Sequence, residues 1–150
     1  MKRYISDLHF GGEEYIGRFD KRQLDNVFEM DKYMIKQWND TIKGGDIVII
    51  LGVLFSTKDV TRINKILNQL YGKFALIEGN HDREWMKLEG VNFDKFEYIK
   101  PYAEIHDVGW SVILSHYPIF FIITSTKKIH LVRQNHSCYM AMCIIVKKLL

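Results

Sequence analysis

The chain is short of cysteine and proline, has no long apolar run, and carries no acidic residue beyond position 119. Its two cysteines, Cys138 and Cys143, lie together near the C-terminus, so no disulfide framework is implied. No stretch reaches the length of a membrane span, and the opening MKRYISDLHF has no apolar run of signal-peptide size. A cytoplasmic location and no membrane partner are therefore expected. The net charge of +3 would suit a nucleic-acid partner, but its distribution argues against one. Residues 1–119 hold 16 Lys and Arg against all 18 Asp and Glu, a balance of −2. The excess basic charge sits in Lys127, Lys128, Arg133, Lys147 and Lys148 and forms no stripe through the main body.

With 150 residues, 47% hydrophobic and 26% charged, the chain has the size and composition of one soluble domain. Residues 3–6 read as a short strand, and Gly11-Gly12 opens a loop. Across residues 22–43, Leu24, Val27, Phe28, Met34, Ile35, Trp38 and Ile42 fall on one helical face, ended by Gly44-Gly45. The β-branched run at 47–51 is too short for a helix and predicts a buried parallel strand. A second helix is predicted over 59–70, with Asp59 at its start, and a buried strand over 74–77. Segments 103–106 and 110–114 flank Asp107-Val108-Gly109 as a hairpin. The β-α-β-α-β order at the N-terminal side points to an α/β sheet with helical crossovers.

Ligands of open α/β sheets collect beyond the carboxyl ends of the strands. Three predicted strands end there in polar groups: Asp7-Leu8-His9, Gly79-Asn80-His81-Asp82 and Ser115-His116. Asp7 and His9, two apart on an extended strand, would point the same way and share one metal. Taken singly, each has a plainer reading: a surface pair, a left-handed turn residue at Asn80, a solvated loop histidine, a strand-end histidine bonded to backbone. Their joint occurrence, in order and at strand ends, outweighs those readings.

Together, Asp7-x-His9, Gly79-Asn80-His81-Asp82 and Ser115-His116 resemble three of the five sequence blocks of the calcineurin-like metallophosphoesterases, in the small bacterial or phage style. The resemblance implies an α/β (α+β) fold, a β-sandwich flanked by helices. It also implies two divalent metal ions, Mn, Fe or Zn by the donor types. Asp7 and His9 would hold one ion and Asn80 and His116 the other. His81 would face the scissile phosphate and serve the leaving oxygen. The implied reaction is hydrolysis of a phosphomonoester or phosphodiester by a metal-activated water. Substrates would be small phosphoesters, nucleotides or phosphoproteins.

Two departures from the family pattern predict impaired activity, with a catalytically inactive remnant as the alternative reading. The family's bridging aspartate is replaced by Val53 in Leu51-Gly52-Val53, and Asp46, at the strand's other end, is too far away to substitute. The final Gly-His-x-His block is also missing, since His130 and His136 have the wrong spacing. Four of the seven expected ligands remain. The domain is accordingly read as residues 1–119, followed by an aberrant tail over 120–150 that disrupts the closing strands. A shifted reading frame accounts for that tail. Read from the last base of each codon, Met140 to Ala141 compels Gly and Met142 to Cys143 compels Val, and the codons between and after permit His.

Overall fold

The computed structural model describes residues 1–16 and 25–118, together with the backbone of two further strands, 129–132 and 143–148. Strands β1 (Lys2–Ile5), β2 (Ile47–Leu51), β3 (Lys73–Ile77) and β4 (Phe96–Lys100) form a parallel sheet in that spatial order. Strands β5 (Ala103–Asp107), β6 (Trp110–Ser115), β7 (Ile129–Val132) and β8 (Cys143–Lys148) form an antiparallel sheet in the order β5-β6-β8-β7. Helices α1 (Val27–Thr41) and α2 (Val60–Gln69) are the crossovers between β1, β2 and β3. A single helical turn, α3 (Asp82–Trp85), follows β3.

The period-two geometry of β2 and β3 divides the core into two layers. Val48, Ile50, Phe74 and Leu76 pack against Met34 and Trp38 of α1 and Ile63, Ile66 and Leu67 of α2. On the opposite face Ile49, Leu51, Ala75 and Ile77 pack against Ala103, Val112 and Leu114 of the second sheet. A central strand buried on both faces must be apolar at every position, and this is why β2 reads as an unbroken run. Each such side chain contributes about 1.5–3 kcal/mol by burial.

Asn26 sets the start of α1: its backbone is extended (φ −159, ψ 170), and its side-chain oxygen accepts the N–H groups of Phe28 and Glu29. The helix thus begins five residues after the predicted position 22, and residues 22–24 lie outside those described. Asp59, expected at the start of α2, caps that helix by accepting the N–H of Arg62. Among the described residues no helix is long and apolar enough to cross a membrane.

The C-terminal segment departs from the expectation of disrupted closing strands. Trp110 to Ser115 pair antiparallel with Lys148 to Cys143, and β7 pairs with β8. A main-chain ladder needs only extended backbone, and Ile144, Ile145 and Val146 are residue types that favour it. The side chains of the tail, His130 and His136 included, lie outside the described residues.

Candidate active site

The carboxyl ends of β1, β2 and β3 and the end of β6 meet at one edge of the sandwich. Strand β1 stops at Ile5, and the chain then runs alongside the segment after β2. Asp7 N–H donates to Gly52 O at 2.9 Å, Leu8 and His9 N–H to Val53 O at 2.9 and 3.1 Å, and Phe10 N–H to Leu54 O at 3.0 Å. Asp7 and His9 are not on an extended strand, which corrects the sequence reading. Both have left-handed backbones, with φ of 53° and 51°. Asp and His are among the non-glycine residues that enter this region most readily. Val53 shares it, with φ of 45°, and is fully buried. For a β-branched residue that conformation is a strained outlier.

His116 follows β6 directly and is 2% exposed. Its Nδ1 lies 3.0 Å from the carbonyl oxygen of Leu51 and its Nε2 lies 3.2 Å from Oδ1 of Asn80. A carbonyl only accepts, so Nδ1 carries a proton, and the ring is held with Nε2 toward the amide oxygen of Asn80. With Nε2 unprotonated both atoms are acceptors, and a cation between them would satisfy both. The imidazole reaches this place because position 52 lacks a side chain: a Cβ on Gly52 would stand 2.1 Å from His116 Nδ1. Gly79 is needed for the same kind of reason, since its Cβ would stand 2.8 Å from the Val53 nitrogen.

The His9 ring packs 4.0 Å from the Tyr15 ring and 5.7 Å, edge-on, from His81. Its Nδ1 is 2.9 Å from Ser56 Oγ, which fixes the ring and leaves Nε2 for another partner. Burial pushes the His9 imidazole down to about 4, with the charges of His81 and His116 in the same direction and Asp82 opposing. It is neutral at pH 7, the form that donates a lone pair to a metal. Burial pushes the Asp7 carboxyl above its ordinary value; a hydrogen bond from Ser6 and the charge of His116 oppose this, and Asp82 adds to it. These mutual influences place Asp7, His9, His81, Asp82 and His116 in one electrostatic cluster.

The five residues selected from the sequence therefore gather around one edge. Their donor types fit a divalent cation: a carboxylate, two imidazoles and an amide oxygen. Their number falls short, because among the described residues no three His, Cys, Asp or Glu side chains are grouped to hold a single ion. Val53 offers no donor. Sequence reasoning missed Ser56, which reaches His9 from 47 positions away. It also gave no role to Asp82, although Asp82 stands next to His81 in the same block.

The family model for calcineurin-like phosphoesterases matches residues 4–143, and the chain belongs to that family. The chain is 33% identical to the uncharacterized protein MJ1445 of Methanocaldococcus jannaschii, over 63% of this chain and 54% of that protein. It is 32% identical to the Gene 66 protein of Mycobacterium phage L5, over 77% of this chain and 62% of that protein. Among solved structures it is similar to the protein of unknown function AQ665 from Aquifex aeolicus, with a TM-score of 0.60 at 26% identity, covering 79% of this chain and 61% of that one. The chain thus spans less than two thirds of the length of each of these relatives.

Proposed function

We propose that this chain is a cytoplasmic, metal-dependent phosphoesterase of reduced activity. Its substrates on this reading are small phosphomonoesters or phosphodiesters, nucleotides among them, or phosphoproteins. Asp7 and His9 would hold one divalent ion, and Asn80 and His116 the other, with Mn, Fe or Zn matching the donors. Bound ions would supply Lewis acidity, activating water and neutralising phosphate charge.

The protein's own groups divide the remaining work. Leu51 O accepts from His116 Nδ1 and so fixes the ring with Nε2 toward Asn80. Ser56 orients His9. His81 is half-buried beside His9 and is placed to give a proton or hydrogen bond to the leaving oxygen. The observation that carries the reading is the approach of His116 Nε2 to Asn80 Oδ1 at 3.2 Å, beside the Asp7–His9 loop. Val53 weakens the site because it brings no charge to the place where two cations would share one.

The test is metal content after purification together with hydrolysis of an aryl phosphodiester in Mn²⁺. Bound metal, and turnover that falls roughly 100-fold or more in His81→Ala, would support the enzyme. Neither metal nor turnover in the native chain, with both appearing in Val53→Asp carrying a restored C-terminal frame, would support the inactive remnant. The out-of-frame origin of the tail is part of the same proposal. The nucleotide sequence around codons 119–143 tests it, and a wobble base other than C in the Ala141 codon removes it.

A further inference from the structure

Asp82 is 0% exposed, and among the described residues no ion pair includes it. Its carboxylate accepts four hydrogen bonds instead. Oδ2 takes the N–H of Val53 at 2.9 Å and of Gly79 at 2.7 Å. Oδ1 takes the N–H of Leu54 at 2.9 Å and the indole N–H of Trp85 at 2.9 Å. Four donors fill the acceptor capacity of an ionised carboxylate. Such charge-assisted bonds are also stronger than neutral ones, so the group is satisfied only as an anion.

The donors come from three places: the segment after β2, the turn after β3, and α3. The β2 segment in turn holds the Asp7–Phe10 loop through the carbonyls of Gly52, Val53 and Leu54. Every strand end of the parallel sheet that carries a selected site residue is therefore tied, directly or through one further hydrogen bond, to a single carboxylate. Val53 shows what this anchoring resists. Its left-handed backbone is unfavourable for valine, yet its N–H is held by Asp82 and its carbonyl by Leu8 and His9.

We infer that Asp82 is the positioning residue of the site, a buried anion whose four hydrogen bonds set the spacing between the Asp7–His9 loop, the Val53 turn and Asn80–His81. The inference rests on the phosphoesterase reading only for its metal-binding consequence. The negative charge also reaches Asp7 and His9, and the same field favours a cation between them.

The experiment compares the native chain with Asp82→Asn, which keeps the shape and replaces one acceptor oxygen by a donor. Two N–H groups, either Val53 with Gly79 or Leu54 with Trp85, then face an NH2. Amide hydrogen exchange is read residue by residue, and Mn²⁺ affinity is measured by calorimetry under conditions where the variant is folded. The expected result is faster exchange at the amides that face the NH2, either Val53 and Gly79 or Leu54, with the interior amides of β2 and β3 still protected. Mn²⁺ affinity should fall roughly 10–100-fold, the usual scale for removing a group that orients ligands. Unchanged exchange at those amides overturns the inference. So does uniform loss of protection over both strands with unchanged Mn²⁺ affinity of the folded fraction, which is how a mere core residue behaves.

Should Asp82→Asn not fold, Trp85→Phe removes a single donor and carries the same comparison. Faster exchange at Leu54 with protected β2 and β3 supports the inference, and loss across both strands together overturns it. If the native chain binds no Mn²⁺, the phosphoesterase reading fails by itself, and the exchange data alone uphold or overturn the role of Asp82.

Discussion

Two valines in this chain share one backbone strain in opposite surroundings. Val108 has φ of 47° and is 90% exposed at the tip of the β5–β6 hairpin. It is followed by Gly109 at φ of 78°, so both turn residues are left-handed, as a type I′ hairpin turn requires. Val53 has φ of 45° and is 0% exposed among strand ends. At the hairpin the valine sits in the two-residue turn between Asp107 and Trp110. At the site its N–H and carbonyl are both committed, to Asp82 on one side and to Leu8 and His9 on the other. Strain that persists because surrounding bonds over-determine the backbone is what functional sites accumulate. The Val108 strain is local, and the Val53 strain belongs to a network.

The largest expected effect comes from cutting that network. Asp82→Asn should lower the unfolding free energy by about 3 kcal/mol or more, since two buried N–H groups lose their acceptor. Urea denaturation checks this, and a loss below about 1 kcal/mol would put the two valines on the same footing. Val53→Asp should change sign with metal. Without Mn²⁺ it adds a buried carboxylate near Asp7 and Asp82 and should lower the melting temperature. With Mn²⁺ at about 100 times the dissociation constant it should regain roughly 2.7 kcal/mol. A melting temperature indifferent to Mn²⁺ would remove position 53 from the metal site.

Val108→Asn provides the control. It places a residue tolerant of the left-handed region before Gly109 and should stabilise the chain by about 1 kcal/mol, equally with and without Mn²⁺. The smallest effect is expected at Asp46, at the amino end of β2. Its carboxyl is held below the usual range by the Lys43 N–H, then by the terminal ammonium at 3.0 Å and Arg3 at 3.7 Å. A lowered native value means that its stabilisation is complete above the ordinary carboxylate range and is lost as pH falls through the lowered value. Asp46→Asn should therefore flatten the acid limb of a stability–pH curve measured from pH 7 to 3 and leave metal binding unchanged.

Much of this architecture was legible in the residue order. The strand at 47–51 was placed to the residue, because a doubly buried strand must be apolar throughout and Asp46 and Gly52 bound it. Helix α2 was found to within a residue at each end, because its apolar period and its cap agree. Strand β4 was not read from the sequence. Phe96-Glu97-Tyr98-Ile99-Lys100 is short and mixed, and it is a strand because it pairs with β3 across a register shift between Phe74 and Ala75. The candidate site residues are selected by their block pattern alone, and the loop at Asp7 and His9 bends where an extended strand is expected.

What the sequence determined by itself is the set of segments with a fixed period and the chemical types available at their ends, since both depend on residues close along the chain. The tertiary structure decided which donors meet. Ser56 reaches His9, Leu51 O sets the His116 proton, and Asp82 gathers N–H groups from three segments. Those contacts depend on ångström-scale approach between residues up to 65 positions apart. No local preference encodes such an approach, and only the packing of the two sheets and the helices produces it.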